Sequence, residues 1–184
     1  MKYRTLGQGL KVSAIGVGCM PMIRNGNINY GGAADLDEAT RAIHRAIELG
    51  ITFFDTAQIY GPFQNEELLG EAIKGKRDGL VIATKFGFSF QDGQITGVDG
   101  SAANAKASVE GSLKRLGIDT IDLFYQHRVD PNVPIEDTVG GMAELVKEGK
   151  VRHIALSEAG PETIQRAAKV HPITALQSEY SLWE

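Results

Sequence analysis

Residues 51–60 read Ile-Thr-Phe-Phe-Asp-Thr-Ala-Gln-Ile-Tyr, and this stretch decides the fold that we predict for the chain. It opens with a short run of β-branched and aromatic residues, which is typical of a buried strand. The run ends at the polar residue Asp55, and a helical segment follows Tyr60. A buried strand that leads directly into a helix is the repeating unit of a parallel α/β sheet.

The same unit recurs along the whole chain. Successive strands are separated by more than the dozen or so residues that a parallel crossover needs, and no linker or low-complexity tract interrupts the series. A small hairpin formed by Tyr3–Leu6 and Leu10–Ser13 precedes the first unit. We therefore predict one α/β domain over residues 1–184, with strands at 14–18, 51–55, 80–85, 120–127, 151–157 and 173–177.

Composition restricts the classes of partner. The 184 residues include 19 Lys and Arg against 23 Asp and Glu, without a block of like charge that suits a nucleic acid. The most apolar stretch, Val12–Ile23, is shorter than the roughly 20 residues of a membrane span. A single cysteine, Cys19, excludes an internal disulfide, and the polar N-terminus predicts a cytoplasmic protein. The histidines share no metal-ligand spacing, so no metal site is predicted.

Chemically active side chains follow three consecutive predicted strands. The strand 51–55 ends at Asp55 and leads to Tyr60, and the next two strands end at Lys85 and His127. The carboxyl ends of parallel strands share one edge of a sheet, so these side chains converge there. An ammonium group beside a phenol lowers the pKa of the phenol, and a carboxylate holds the ammonium in place. The set predicts a site that polarises and protonates a carbonyl group.

Four ordered stretches, 53–61, 83–87, 112–117 and 121–127, resemble the aldo-keto reductases, and the similarity covers essentially the whole chain. The resemblance implies a (β/α)8 TIM barrel with an N-terminal β-hairpin. It also implies an oxidoreductase that reduces small aldehydes or ketones with NADPH. Eight units take about 250 residues, so we expect an incomplete barrel, truncated at the C-terminus after about six strands. Such a fragment would have open sheet edges, and we expect it to fold poorly when isolated.

The resemblance implies a role for each residue of the predicted site. Tyr60 corresponds to the general acid, and Lys85 to the group that lowers its pKa. Asp55 corresponds to the partner of Lys85, and His127 to the residue that orients the carbonyl group.

Cofactor ligands are implied at the ends of three other strands. Ser157 and Gln177 match the family's ligands of the nicotinamide carboxamide. Many members have Asn directly after this serine, whereas this chain has Glu158, whose carboxylate is able to accept from the amide. Gly18 and Cys19 fall where the first strand approaches the ribose and the nicotinamide.

Two alternatives to an active enzyme stay open at this stage: a cofactor-binding regulatory barrel of the kind that serves as a channel subunit, and a catalytically inactive fragment. The sequence also leaves open the carbonyl substrate, the choice between NADPH and NADH, and the oligomeric state. We expect the long segments Met22–Gly32 and Phe88–Gly100 to set substrate specificity.

Overall fold

A computed structural model describes residues 1–23 and 36–183 of the protein. The described strands are β1 Tyr3–Thr5, β2 Lys11–Ser13, β3 Val17–Gly18, β4 Phe53–Asp55, β5 Val81–Phe86, β6 Phe88–Gln91, β7 Gln94–Val98, β8 Ile121–Gln126, β9 Val151–Ser157 and β10 Ala175–Gln177. The described helices are α1 Leu36–Glu48, α2 Gln64–Ala72, α3 Ala102–Leu116, α4 Ile135–Lys147 and α5 Pro161–Val170.

One parallel sheet organises the molecule. Its strands lie in the order β10-β9-β8-β5-β4-β3, and every neighbouring pair is parallel. At least one helix lies between successive strands of this sheet along the chain, as crossovers between parallel strands require. The curled sheet confirms the prediction of a partial (β/α)8 barrel with about six strands.

The N-terminal hairpin of β1 and β2 covers the end of this sheet at which the parallel strands begin, which we call the amino edge. Ser13 exchanges two hydrogen bonds with Thr52, which directly precedes β4, at 3.0 and 2.9 Å. The Gly7 N–H donates to the carbonyl of Thr174, directly before β10, at 3.0 Å. A Cβ atom on Gly7 would lie 2.9 Å from that carbonyl oxygen, so glycine permits the contact. The predicted hairpin is confirmed, at the edge opposite the predicted site.

Strand alternation separates two layers of core. Phe124 of β8 packs outward against helices α3 and α4, whereas its neighbours Leu123 and Tyr125 pack inward. The inward layer also contains Ala83 and Ala155, and Leu6 and Leu10 of the hairpin region cover it. Side chains two positions apart share a face of a strand, so Lys85 points to the same interior as Ala83.

The segment Phe88–Gly100 has secondary structure of its own. It contains the antiparallel hairpin of β6 and β7, with Asp92 and Gly93 at positive φ angles of 50° and 75° in the turn. An Asp-Gly pair between alternating residues is a strong hairpin signal that the sequence analysis did not use. The first strand is also shorter than predicted, because only Val17–Gly18 pairs with β4. Most of the other predicted specificity segment, Met22–Gly32, lies outside the described residues.

Candidate active site

A cleft of about 830 Å³ opens at the carboxyl edge of the sheet, the end at which the parallel strands finish. Residues from several strand ends and from the β6–β7 hairpin line it, so the cleft lies where a parallel barrel concentrates its chemistry. Five of the predicted site residues line the cleft: Tyr60, His127, Ser157, Glu158 and Gln177. Apolar side chains complete its wall, among them Met20, Ile23, Ile59, Phe88 and Ile95.

The buried ammonium of Lys85 is the centre of the polar network beneath this cleft. It forms an ion pair with Asp55, donates to the Thr56 carbonyl at 2.9 Å, and donates to the Tyr60 hydroxyl at 3.3 Å. These contacts use all three N–H donors of the ammonium. The second carboxylate oxygen of Asp55 accepts from Nε2 of Gln177 at 3.1 Å. The structure thus brings Asp55, Tyr60 and Lys85 into direct contact.

The net pKa of Tyr60 differs from the sequence-based expectation. Burial raises the pKa of this phenol above its ordinary value, and this effect outweighs the lowering by Lys85. The nearby Asp55 carboxylate raises the pKa further. Tyr60 therefore keeps its proton at neutral pH, and because its oxygen accepts from Lys85, the hydroxyl hydrogen is free to donate.

His127 lies against Tyr60 in an edge-to-face contact, with ring centroids 5.9 Å apart, and Phe88 contacts its ring in the same manner at 5.2 Å. Burial, helped by the positive charges of Lys85 and Arg128, lowers the pKa of His127 to about 3. The imidazole is therefore neutral at physiological pH. Its Nδ1 atom is buried and has no hydrogen-bond partner among the described residues.

Ser157 and Gln177 present complementary hydrogen-bonding groups at the cleft. The Ser157 hydroxyl oxygen accepts from Nη1 of Arg128 at 3.2 Å, which leaves its hydrogen to donate elsewhere. Gln177 donates its Nε2 to Asp55, which leaves its Oε1 atom to accept. One donor beside one acceptor matches the oxygen and the NH2 group of a carboxamide, so these residues fit the predicted nicotinamide site.

Glu158 connects the ends of β9 and β10. Its N–H donates to the Gln177 carbonyl at 2.9 Å, and its carboxylate accepts from the backbone N–H of Glu179 at 2.7 Å. The backbone of Glu158 is left-handed, with φ of 52°. Among residues with a side chain, Asn adopts this conformation most readily, which gives a physical reason for the Asn that many members have here.

The structure places Gly18 and Cys19 away from the lining of the cleft. Gly18 lies in a separate groove on the interior side of β3, beside Phe53. The Cys19 side chain is fully buried in the core, and burial raises the pKa of its thiol to about 12. The Cys19 N–H already donates to the Asp55 carbonyl at 2.8 Å. The Cys19 thiol packs with Ile43 and other apolar side chains, and the cofactor contact of Gly18 and Cys19 stays a prediction.

Arg128 is a cleft residue that the sequence analysis missed. Its Nη1 atom donates to the carbonyl of His127 at 2.7 Å and to Ser157, so it joins the ends of β8 and β9. Its position directly after the strand-end residue His127 is the signal that identifies it in the sequence.

Within the described ranges, no helix is long and apolar enough to cross a membrane. Across residues 1–23 and 36–183, no three His, Cys, Asp or Glu side chains are grouped to hold a metal ion.

Comparisons with known proteins agree with this geometry. Residues 14–184 match the model of the Aldo/keto reductase family. The chain is 47% identical over 177 residues to "Probable aldo-keto reductase 1" of Glycine max, a match that covers 96% of this chain and 50% of that protein. The chain therefore spans about half the length of the curated relative that it matches.

Two solved structures are similar to the chain over almost all of its length. The holo form of an aldo-keto reductase from Bacillus halodurans superposes with a TM-score of 0.87 at 35% identity, over 98% of this chain and 58% of that chain. A glycerol dehydrogenase from Gluconobacter oxydans superposes with a TM-score of 0.84 at 30% identity, over 99% of this chain and 56% of that chain.

Proposed function

Because the chain belongs to the aldo/keto reductase family, we propose that the protein that carries it reduces a small aldehyde or ketone to an alcohol with NADPH. The observation that carries the proposal is the Tyr60 hydroxyl, which lines the cleft and accepts a hydrogen bond from the buried Lys85 ammonium at 3.3 Å. The preference for NADPH and a cytoplasmic location are taken from the resemblance and the composition, and both belong to the proposal.

Tyr60 acts as the proton donor. Its pKa is raised by burial, so the phenol is protonated when a substrate enters. As the proton passes to the substrate oxygen, negative charge develops on the phenolate within hydrogen-bond distance of the Lys85 ammonium. An ion pair with Asp55 holds that ammonium in position, so the stabilising group is in place before the reaction begins.

His127 orients the substrate. The neutral ring lies edge to face against Tyr60, so a carbonyl oxygen hydrogen-bonded to the imidazole lies within reach of the Tyr60 hydroxyl. The same hydrogen bond draws electron density toward the oxygen and makes the carbonyl carbon more electrophilic. The low pKa of His127 keeps the ring neutral over the physiological pH range.

Ser157 and Gln177 are the residues that we propose to hold the cofactor by its carboxamide, with the Ser157 hydroxyl as donor and the Gln177 Oε1 atom as acceptor. A bound reduced nicotinamide supplies the hydride that the carbonyl carbon gains. The substrate oxygen takes the Tyr60 proton, and the two additions together convert the C=O group to an alcohol. Glu158 lies at the same rim of the cleft and is proposed as a third contact.

NADPH oxidation in the presence of 4-nitrobenzaldehyde tests the proposal. The protein that carries this chain, expressed from its complete reading frame, is expected to form one 4-nitrobenzyl alcohol per NADPH oxidised. Tyr60→Phe removes the donated proton, so we expect its turnover to fall about 10²- to 10⁴-fold. A protein that binds NADPH but shows no turnover above that of Tyr60→Phe would contradict the proposed enzymatic activity. It would favour the function of a cofactor-binding regulatory barrel.

A further inference from the structure

Asn65 lies in the first turn of α2, and its side chain is completely buried. Its amide joins two separate segments of the chain. The oxygen accepts from the Thr56 hydroxyl at 2.5 Å, and the nitrogen donates to the carbonyls of Cys19 at 2.6 Å and Met22 at 2.8 Å. Three short hydrogen bonds to one buried amide define the relative position of these segments closely.

The first of these segments leads to the Lys85 ammonium. Thr56 directly follows Asp55, and its backbone carbonyl accepts from Lys85 Nζ at 2.9 Å. The Thr56 hydroxyl is the group that Asn65 holds. Asn65 therefore fixes the residue that supplies one of the three oxygen contacts of the ammonium.

The second segment forms part of the cleft wall. Cys19 and Met22 flank Met20, whose side chain lines the cleft together with Ile23. Both carbonyls that accept from Asn65 belong to this turn, which contains its own hydrogen bond from the Met22 N–H to the Cys19 carbonyl at 2.8 Å. The amide of Asn65 thus sets the distance between this wall and the polar network below Tyr60.

We propose that Asn65 is a positioning residue of the reduction, which holds the Thr56 carbonyl against Lys85 and the Met20 wall beside Tyr60. The inference rests on the proposed function of this site. It assigns to Asn65 an effect on the rate of proton donation that goes beyond its contribution to stability.

Glu66 is the matched comparison, because it is adjacent to Asn65 and equally buried. Its carboxylate accepts from the Thr84 hydroxyl at 2.6 Å and from Nε of Arg115 at 2.7 Å. Thr84 alternates with Lys85 along β5, so its side chain faces the helix layer and not the interior. We expect Glu66 to stabilise the fold without positioning the ammonium.

The test compares Thr56→Val, Thr56→Ser, Asn65→Ala and Glu66→Gln in the protein expressed from its complete reading frame. Thr56→Val loses the hydroxyl, so the Lys85 contact loosens and kcat is expected to fall about 10-fold with an unchanged KM for the aldehyde. Thr56→Ser keeps the hydroxyl and is expected to restore kcat. Asn65→Ala loses both attachments, so kcat falls and KM rises. Glu66→Gln is expected to lower Tm and to leave kcat unchanged.

A second readout does not depend on turnover. The absorbance of the phenolate, taken as the difference between each variant and the same variant with Tyr60→Phe, reports the pKa of Tyr60. The charged groups that act on this phenol are Lys85, Asp55 and Arg128. Displacement of Lys85 weakens the attraction between its positive charge and the phenolate, so the pKa of Tyr60 is expected to rise in Thr56→Val and Asn65→Ala.

A raised Tyr60 pKa in a protein without any turnover would support the positioning of Lys85 by Asn65 and would contradict only the proposed function. An active protein whose Thr56→Val and Asn65→Ala variants keep the native kcat and the native Tyr60 pKa would overturn the inference. An equal loss of kcat in Glu66→Gln would overturn it as well, because the effect would then follow stability alone.

Discussion

One ion pair lies at the amino edge of the sheet and another lies at the carboxyl edge. The two pairs differ in the groups that form hydrogen bonds with them. At the amino edge, Arg77 binds Asp122 at 2.5 Å, and the same carboxylate oxygen accepts from the Ile82 N–H at 2.8 Å. Arg77 also donates to the backbone carbonyls of Leu80 and Thr120. The amino-edge pair is thus held by backbone groups on several sides.

The carboxyl-edge pair of Lys85 and Asp55 has a different third partner. The ammonium donates to the Tyr60 hydroxyl, which lines the cleft and keeps its own hydrogen for another acceptor. A closed network of charges stabilises a fold, whereas hydrogen-bonding capacity left open beside a cleft is available to a substrate. We therefore expect the amino-edge pair to contribute to stability and the carboxyl-edge pair to serve the proposed chemistry.

The largest expected effect is on Lys85→Met, which removes the ammonium and preserves the length of the side chain. We expect kcat/KM for the aldehyde to fall about 10³-fold, because the phenolate of Tyr60 loses its stabilising charge. The unpaired Asp55 carboxylate also destabilises this variant. The double variant Lys85→Met/Asp55→Asn is expected to regain Tm without regaining activity. Recovery of activity in the double variant would show that the reaction does not need the Lys85 ammonium.

The corresponding change at the amino edge is Asp122→Asn. It breaks the Arg77 pair and weakens the acceptor of the Ile82 N–H, so the free energy of unfolding is expected to fall by about 2–3 kcal/mol. Urea denaturation measures the loss. The kcat/KM of the folded fraction should equal that of the native protein, and a fall of more than about 3-fold would show that this edge also serves the chemistry.

The acid stability of the protein reports the buried state of His127. An unfolded chain binds a proton at this imidazole below about pH 6.5, whereas the folded protein, with a pKa of about 3, does not. Stability therefore falls as the pH decreases from 6.5 toward 3, by about 2 kcal/mol between pH 8 and pH 5. Urea denaturation at these pH values measures the slope, and His127→Gln should reduce it by that amount. An unchanged slope in His127→Gln would contradict the burial of a neutral imidazole.

The smallest effect is expected for Gly7→Ala in the hairpin at the amino edge. The added Cβ would lie 2.9 Å from the Thr174 carbonyl oxygen, so the hairpin must shift away from β10. We expect a loss of about 1–2 kcal/mol in the free energy of unfolding and no change in kcat. Gly9→Ala, at a position with open space but with φ of 79°, separates crowding from backbone strain.

The sequence predicted the parallel strand series well because each strand is a short apolar run with a polar residue at its end. Asp55, Lys85 and His127 were placed correctly at one edge, since strand direction alone determines which ends meet. The β6–β7 hairpin was not predicted, although Asp92 and Gly93 carry its signal, because it is inserted between β5 and α3 within one strand-helix unit. The first strand proved shorter than its apolar run, because Ala14 donates to the Lys2 carbonyl next to the hairpin and only Val17 and Gly18 pair with β4.

The electrostatics of the site required the structure. Proximity to Lys85 correctly predicts one contribution to the pKa of Tyr60, but the extent of burial decides the net direction and is set by packing around the cleft. The burial of the Cys19 side chain likewise required the structure, because an apolar run at a strand end does not show which side chains turn into the core. Asn65 was not predicted, because its hydrogen bonds reach Cys19 and Met22, which lie far from it in the sequence, and residue spacing does not show such contacts.

Proton donation by the Tyr60 hydroxyl is tested by a comparison of two variants, Tyr60→Phe and Tyr125→Phe. The quantity measured is kcat/KM for 4-nitrobenzaldehyde. Both changes delete one phenol oxygen, and both rings lie near Lys85, at 5.1 and 5.9 Å from Nζ to the ring centroid. Only the Tyr60 hydroxyl is hydrogen-bonded to Lys85 and lines the cleft. We expect a loss of about 10²- to 10⁴-fold in Tyr60→Phe and of less than about 3-fold in Tyr125→Phe. Equal activities in the two variants would contradict proton donation by the Tyr60 hydroxyl.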